Sequence, residues 1–267
     1  MKIMLLNIWH VDAFAARPFE GNPAAVCPLN HWLDDGLLQV VAAESNLSAT
    51  AYLVPEHGDY HMRWFSPRYE IKLCGHATLA SGFAVLNILE PGRDSVRFET
   101  RHSGPLTVYR DGSLFAMDFP AFPSTPCVIL PPTLLQALGM EARPVAIFEA
   151  NNTYFVVCAS ESAVRQIRPN FALIEELHPF VVAVTAPGET CDFVSRYFAP
   201  GYGIPEDPVT GSAHCALAPY WAHRLGKNQL HARQVSARGG ELWCELAGER
   251  VTIKGNAVLT LQGSLSL

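Results

Sequence analysis

The sequence predicts an α+β protein that contains two copies of one structural unit, and three observations lead to this prediction. Short strand-like runs, separated by clusters of Gly, Pro and Asn, alternate with a few helical segments in both halves of the chain. The length of 267 residues fits one large domain or two ordinary ones. A block of sequence in the first half also recurs in the second half at a constant spacing.

The first half combines seven predicted strands with two predicted helices. One helix begins after Asp34, a residue type favoured at the N-cap, and continues to about Ser45. The other helix runs from Gly75 to about Leu89 and ends before Pro91. The strands are expected at Leu5–Val11, Ala24–Cys27, Ala49–Val54, His61–Phe65, Ser95–Glu99, Leu106–Arg110 and Leu114–Asp118.

The second half repeats this order after a Pro-rich segment, Pro120–Pro132, which is the best candidate for a linker. Helices are expected at Ser162–Ile167 and from Ser212 to about Leu225. The strands are expected at Pro144–Phe148, Tyr154–Cys158, Val181–Ala186, Phe193–Phe198, Gln234–Arg238, Glu241–Leu246 and Arg250–Lys254.

The repeated block can be followed residue by residue. Segments 63–71 and 196–204 share five residues at a constant offset of 133 positions (196 minus 63), about half the chain length. The shared residues are Arg63 and Arg196, Phe65 and Phe198, Pro67 and Pro200, Tyr69 and Tyr202, and Ile71 and Ile204. The same offset places Cys74 opposite Asp207. The sequence therefore predicts a duplication with half-domains 1–117 and 118–267, and a C-terminal strand at about 257–267 as a candidate to return to the first half.

Composition and charge exclude several classes of protein. Hydrophobic residues make up 49% of the chain and charged residues 16%, against about 25% charged residues in typical soluble chains, so disorder is excluded. The 19 basic and 25 acidic residues give a net charge of −6, and nucleic-acid binding is not expected. No apolar run suggests a membrane span or a signal peptide. Seven scattered cysteines without a Cys-x-x-Cys pair favour a reducing cytoplasm over a disulfide framework or a zinc cluster.

Each repeated block leads through a glycine into a helix, at Gly75-His76 and at Gly211-Ser212. A loop of this kind leaves backbone N–H groups unpaired at the positive end of the helix dipole, which favours anion binding. We expect the two sites to face each other across a cleft between the halves and to bind a small carboxylate or a developing enolate. Ordinary capping of the two helices is the alternative.

Glu44 is a candidate general acid/base. Leu37, Val41 and Glu44 follow the spacing of one helix face, so the carboxyl group is expected on the apolar stripe of its helix. The position is also near the helix C-terminus, where the dipole disfavours negative charge. Both effects favour a protonated carboxyl group, which suits proton transfer. The alternative is that Glu44 lies at the edge of the stripe and reaches water.

Three further side chains in the two loops could carry chemistry. His76 could donate to a substrate or move a proton, and Asp207 could orient that histidine or bind a substrate amine. A surface histidine and an N-cap aspartate are the alternatives. Cys74, just before a helix N-terminus, could act as an activated thiol in a two-base racemase, but its expected counterpart is Asp207 and not a second cysteine.

No motif for a nucleotide or a metal cofactor is present. The chain has neither Gly-x-Gly-x-x-Gly after a strand nor a P-loop. His57 and His61 have a ligand-like spacing, but Gly58 and Asp59 make the segment a turn, so the two rings need not share a face. We therefore expect proton transfer without an organic cofactor and without a metal ion.

Taken together, several motifs resemble the PhzF-like family, the phenazine-biosynthesis isomerase and its relatives, within the diaminopimelate-epimerase-like fold. They occur in the family order across nearly the whole chain. The motifs are Val11-Asp12-Ala13-Phe14, Phe19-Glu20-Gly21-Asn22-Pro23-Ala24-Ala25-Val26, Glu44-Ser45-Asn46-Leu47-Ser48, Leu73-Cys74-Gly75-His76-Ala77-Thr78 and Asp207-Pro208-Val209-Thr210-Gly211-Ser212-Ala213.

The resemblance implies two pseudo-symmetric half-domains, each a β-barrel-like sheet wrapped round a central helix, with the active site in the cleft between them, and usually a homodimer. In the phenazine enzyme the acidic residue that matches Glu44 moves a proton on a dihydro-hydroxyanthranilate ring without a cofactor. The other positions that match residues of that site are His76, Asp207, Ser212, Gly75 and Gly211. The related epimerases and racemases use two cysteines, of which only Cys74 is present here.

The sequence thus predicts a cytoplasmic, cofactor-independent isomerase that moves a proton on a small carboxylate-bearing metabolite. Glu44 is the expected acid/base, His76 and Asp207 position the substrate and share protons, and the loop amides bind the carboxylate. One alternative is an amino-acid racemase or epimerase that uses Cys74. Another is a non-catalytic protein that binds a small carboxylate. The sequence does not identify the substrate.

Overall fold

The computed structural model describes residues 4–127 and 129–267, which form two compact units. The first unit runs to Asp118 and resumes at Lys254–Leu267, and the second unit is Phe119–Ile253. The strands β1–β9 are Leu5–Ala13, Asn22–Pro28, Ala49–Glu56, Asp59–Phe65, Glu70–Ile71, Ser95–Thr100, Leu106–Asp111, Leu114–Pro120 and Thr125–Pro126. The strands β10–β18 are Ala146–Ala150, Thr153–Val157, Val181–Pro187, Phe193–Ala199, Ile204–Asp207, Gln229–Gln234, Gly240–Ala247, Arg250–Gly255 and Ala257–Ser266.

The helices are α1 (Asp35–Ser45), α2 (Gly75–Ala84), α3 (Leu134–Ala137), α4 (Glu161–Gln166), α5 (Phe171–Glu175) and α6 (His214–Leu225). The four expected helices are present (α1, α2, α4 and α6), and two short helices, α3 and α5, were not expected. A π-helical turn, Val85–Leu89, continues α2, and a 3₁₀ turn, Gly211–Ala213, leads into α6. Asp34 caps α1 as expected, because its side chain accepts hydrogen bonds from the first-turn amides. None of the helices in the described ranges has the length and apolar character that a membrane crossing requires.

The two units have the same order of strand pairing. In the first unit the successive pairs are antiparallel β1–β2, parallel β2–β3, antiparallel β3–β4, parallel β4–β6 and antiparallel β6–β7. In the second unit the pairs β10–β11, β11–β12, β12–β13, β13–β15 and β15–β16 repeat the same alternation. The predicted α+β fold with two pseudo-symmetric halves is therefore confirmed. β18 pairs with β1 in the first unit.

The helices that Gly75 and Gly211 lead into, α2 and α6, lie against strands of their own units. α2 packs against β1, β2, β3 and β7, and most of its side chains are buried. Its contact with β7 is so close that a methyl group at Gly82 would overlap the Val108 side chain. In the second unit α6 packs against β15 and β16, and its fully buried Trp221 stacks on Phe193 of β13. These helices fix the orientation of the loops that precede them.

A partly buried ion pair is duplicated together with the strands. Arg63 on β4 binds both oxygens of Glu70, with its Nε and Nη2 atoms each 2.8 Å away. Arg196 on β13 binds Glu206 in the same way, at 2.8 and 3.0 Å. Each guanidinium also lies over the phenylalanine two residues later, which the sequence block repeats as well. The recurring arginine therefore maintains the fold of the strand–loop unit in both halves.

The duplicated ion pair corrects one residue correspondence. Arg63 and Glu70 are 7 residues apart, whereas Arg196 and Glu206 are 10 residues apart, so the second loop contains three additional residues. The counterpart of Cys74 is therefore Thr210, since both are N-caps one residue before the helix-leading glycine. The expectation that Cys74 corresponds to Asp207 was wrong, because a constant offset ignores the longer 3₁₀ turn at Pro200–Tyr202.

One predicted strand is displaced. The segment expected at Gln234–Arg238 is instead the end of β15 and a turn, because β15 occupies Gln229–Gln234. Gly239 has a φ of 69°, and its amide donates to the Ser236 hydroxyl, which closes the turn before β16. The apolar alternation of Leu230 and Ala232, both buried, marks the actual strand.

Candidate active site

The first candidate loop precedes α2 in the first unit. Cys74 occupies the N-cap position, and no side chain caps the helix. The Cys74 carbonyl accepts hydrogen bonds from the Thr78 amide (3.0 Å) and the Thr78 hydroxyl (2.7 Å). A side chain added at Gly75 would meet no atom within 4 Å. An uncapped N-terminus beside open space can bind an anion through its amides.

The equivalent loop of the second unit is built in the same way. Thr210 is the N-cap of the 3₁₀ turn that leads through Gly211 and Ser212 into α6, and no side chain caps it. Gly211 is buried, whereas Ser212 is exposed. By contrast, Asp34, Ser160 and Asn170 cap their helices with side-chain oxygens. Simple side-chain capping therefore does not explain the two glycine-led loops.

His76 lies in a polar cluster of the first unit. Its Nε2 atom is 3.0 Å from the Ser48 hydroxyl, and its Nδ1 atom is 3.5 Å from the Cys74 sulfur. Ser48 in turn contacts Asn22 at the start of β2. Burial lowers the pKa of His76 to about 4, so the imidazole is neutral near pH 7. A neutral imidazole can accept a proton at one nitrogen while it donates from the other.

Glu44 is not on the buried stripe of α1. The residues of α1 that are buried are Leu38, Val41 and Ala42, whereas Glu44 is exposed. Among the described residues, none forms a hydrogen bond or an ion pair with the Glu44 carboxyl group. The expectation that it lies on the apolar face was wrong. The buried face of α1 is centred on Leu38, Val41 and Ala42, so of the Leu37–Val41–Glu44 series only Val41 belongs to it. The alternative, in which Glu44 reaches water, is the one observed.

Asp207 lies at the end of β14 in a buried polar cluster of the second unit. Its Oδ2 atom accepts a hydrogen bond of 2.5 Å from the Thr210 hydroxyl. Gln234 joins both ends of this loop: its Oε1 atom accepts from the Thr210 amide (2.8 Å), and its Nε2 atom donates to the Asp207 carbonyl (2.6 Å) and the Thr210 hydroxyl (3.2 Å). The cluster holds the carboxylate in a fixed position directly before the glycine-led turn.

A buried histidine supports the second loop from behind. His214 donates from Nδ1 to the Thr210 carbonyl at 2.9 Å, in the manner of the Thr78 hydroxyl at the equivalent position of α2. Its Nε2 atom is buried without a hydrogen-bond partner. Burial lowers the pKa of His214 to about 4, although the contact with the Thr210 carbonyl opposes this shift. The ring is therefore a neutral structural group.

Two residues of these clusters were not singled out from the sequence. Ser48 is part of a recognised motif, but only the fold brings it to His76, which is 28 residues away. Gln234 is 24 residues from Thr210 and carries no motif, so no local signal identifies it. In the described parts of the chain, no group of three or more His, Cys, Asp or Glu side chains has the arrangement of a metal site.

Comparisons with known proteins define the class of protein first. The fold is shared with a crystal structure of a phenazine biosynthesis protein of the PhzF family from Enterococcus faecalis, with a TM-score of 0.94, 42% identity, and coverage of 99% of this chain and 100% of that one. A hydroxyproline epimerase from Agrobacterium vitis has the same fold, with a TM-score of 0.61, at 12% identity over 98% of this chain and 93% of its own. The chain thus has an epimerase-like fold.

Sequence comparison then gives the family. A family model described as phenazine biosynthesis-like protein, PhzC-PhzF, matches residues 11–263. An uncharacterized isomerase of Pseudomonas aeruginosa is 51% identical over 99% of this chain and 100% of its own length. A phenazine biosynthesis-like domain-containing protein of Homo sapiens is 36% identical over 98% of this chain and 100% of its own length. The chain belongs to the phenazine biosynthesis-like family, and it is an isomerase.

Proposed function

We propose that the protein moves a proton on a small carboxylate-bearing metabolite and needs no cofactor for this reaction. The observation that carries the proposal is the pair of uncapped, glycine-led helix N-termini at equivalent positions of the two units. A group able to exchange or orient a proton lies beside each of them, His76 in the first unit and Asp207 in the second. This combination suits an isomerisation that passes through an enolate-like species.

The loop amides serve as carboxylate-binding groups in this proposal. In the first unit the amides of Gly75 and His76 bind a carboxylate oxygen, and in the second unit the amides of Gly211 and Ser212 form the equivalent site. The Ser212 side chain is exposed and can add a hydroxyl donor. His76 and Asp207 orient the substrate and share protons with it. The reaction occurs in the cytoplasm, in a homodimer.

Glu44 remains the proposed acid/base, and its exposure makes it accessible to a substrate. The test begins with a library of small carboxylates incubated in heavy water and analysed for deuterium uptake by mass spectrometry. For a compound that exchanges, Glu44→Gln is expected to fold normally and to lose exchange by about 100-fold or more. Glu176→Gln is the matched control, since Glu176 is also an exposed glutamate at the end of a helix. Wild-type exchange in Glu44→Gln would overturn the role of Glu44.

One observation favours a second candidate, an amino-acid racemase or epimerase in which Cys74 is the base. The Cys74 sulfur lies 3.5 Å from Nδ1 of His76, a neutral imidazole that can accept the thiol proton. In this case Cys74→Ala abolishes exchange while Glu44→Gln retains it. In the first candidate the two variants show the opposite result. Exchange at an amino-acid Cα, with loss of optical purity, would identify the second candidate directly.

A further inference from the structure

The Ser48 hydroxyl has more acceptors around it than it has protons. Its Oγ atom is 2.9 Å from the Asn22 Oδ1 atom, 2.9 Å from the Pro23 carbonyl oxygen and 3.0 Å from Nε2 of His76. A hydroxyl group carries one proton and can donate it to only one of these three atoms. The backbone carbonyl of Pro23 can only accept, which limits the ways in which the cluster can be satisfied.

Proton counting decides the state of the histidine. If Nε2 of His76 carried no proton, Ser48 would have to donate its proton to Nε2. The Asn22 Oδ1 and Pro23 carbonyl oxygens would then each lie 2.9 Å from the Ser48 oxygen with no proton between them. If Nε2 carries the proton, it donates to Ser48, and the Ser48 proton goes to an oxygen of Asn22 or Pro23. Both arrangements satisfy the histidine, but the first leaves two oxygen–oxygen contacts of Ser48 without a proton and the second leaves only one, so the second is favoured.

We infer that Ser48 is a positioning residue that holds His76 in the Nε2–H tautomer, so that the unprotonated Nδ1 atom faces the thiol of Cys74. The neutral ring has one N–H group only, so a proton on Nε2 leaves Nδ1 as an acceptor. The sulfur lies 3.5 Å from Nδ1 and 3.8 Å from Nε2, so the thiol is nearer to the accepting nitrogen.

The tautomer defines a proton path within the first unit. The S–H bond of Cys74 breaks and an N–H bond forms at Nδ1, which gives a thiolate beside an imidazolium with no change in net charge. The imidazolium keeps its Nε2–H bond to Ser48, so that the ring does not rotate during the transfer. The use of this path in turnover rests on the proposed function, whereas the tautomer itself is a property of the resting protein.

Nitrogen NMR of the histidine side chains tests the inference without a substrate. The protein is labelled with ¹⁵N at its ten histidines, and His76 is assigned by the signals that disappear in His76→Gln. Near pH 7 we expect a protonated Nε2 and an unprotonated Nδ1 in the wild type. Ser48→Ala is expected to lose this preference, and Ser48→Thr, which keeps the hydroxyl group, is expected to restore it. Ser45→Ala is the matched control in the same segment, since that hydroxyl donates to the Val41 carbonyl instead.

A wild-type His76 with its proton on Nδ1 would overturn the inference, and so would an unchanged tautomer in Ser48→Ala. The wild-type result stands even where Ser48→Ala does not fold. As a second measurement, alkylation of Cys74 by iodoacetamide is followed by peptide mass mapping, with the partly exposed Cys191 as the internal reference. We expect Cys74 to react several-fold more slowly in Ser48→Ala and at the wild-type rate in Ser48→Thr. If His76 shows the expected tautomer but no carboxylate exchanges in the heavy-water screen, the proposed function is rejected and the inference about Ser48 is retained.

Discussion

At the scale of single residues, the contacts in the two loops determine which atom carries a proton and which atom can accept one. His76 contacts both Ser48 and Cys74, and Asp207 is held through Thr210 and Gln234. The residues at the equivalent N-caps are a thiol in the first unit and a hydroxyl in the second. Each unit therefore contributes a different set of acidic and basic groups from the same backbone geometry.

Removal of the Gln234 amide is expected to destabilise the second loop. In Gln234→Leu the buried Thr210 amide loses its acceptor and the Asp207 carbonyl loses the hydrogen bond from Gln234, and an unsatisfied buried group costs roughly 1–3 kcal/mol. We expect a loss of about 3 kcal/mol in the free energy of unfolding, measured in urea. Gln166→Leu is the control, because Gln166 is exposed and should change stability by less than about 0.5 kcal/mol. Equal effects of the two substitutions would contradict the role given to Gln234.

At the scale of elements, the position of α2 is set by its close contact with β7. Gly82 allows the approach, because a methyl group at this position would overlap the Val108 side chain. The N-terminus of the same helix carries Cys74, Gly75 and His76, so a shift of α2 would move the candidate loop. A glycine in the interior of a helix is unfavourable in itself, and the packing contact accounts for it here.

Gly82→Ala tests this packing contact. The added methyl group improves helix propensity by about 1 kcal/mol, but the overlap with β7 is expected to cost more, for a net loss of about 1–3 kcal/mol. The matched control is Gly92→Ala, since a side chain there would meet no atom within 4 Å and the backbone is not left-handed. Thermal or urea unfolding measures both variants. If Gly82→Ala is as stable as the wild type, β7 can move to accommodate the methyl group without a loss in the free energy of unfolding, and the prediction is wrong.

At the scale of the whole molecule, the duplication preserves the strand order and the partly buried Arg–Glu pair, while the side chains of the loops differ. Arg63 with Glu70 and Arg196 with Glu206 have the same bidentate geometry. By contrast, the first unit has Thr78 at the position where the second unit has His214. Each of these side chains donates to the carbonyl of the N-cap residue of its own unit. The framework is thus kept by packing and ion pairing, and the functional groups vary at its loops.

Each unit contains a histidine that burial keeps neutral, and this predicts a loss of stability in acid. The pKa values of His76 and His214 are lowered to about 4, whereas an unfolded chain binds these protons near pH 6.5. Stability is therefore expected to fall as the pH decreases from about 6.5 and to level off below about 4, with a contribution of roughly 3 kcal/mol from His214.

Urea unfolding at pH 7 and pH 5 measures this effect. His214→Gln removes the titrating group, so the difference in stability between the two pH values should become smaller than in the wild type. His223→Gln is the control on the same helix, because His223 is exposed and its replacement should leave the pH dependence unchanged. An equal pH dependence in His214→Gln and in the wild type would assign the acid sensitivity to other groups.

Much of the fold could be predicted from the sequence. The bounds of α1 and the start of α2 follow from Asp34 and from Gly75, which are local signals. The displaced strand near Gln234 could not be predicted, and the sequence left open whether Glu44 is buried or reaches water, because a shift of one position on a helix or a few positions along a strand changes which face is buried. The roles proposed for Glu44, His76 and Asp207 stay predictions.

The sequence by itself determined the α+β class, the duplication and the family, since hydrophobic periodicity, turn residues and ordered motifs are properties of neighbouring residues. The tertiary structure decided that Thr210 is the counterpart of Cys74, that Glu44 reaches the solvent, and that Ser48 and Gln234 support the two loops. The contacts of Ser48 and Gln234 join residues 24 to 28 positions apart, and such contacts exist only when the strands and helices have packed.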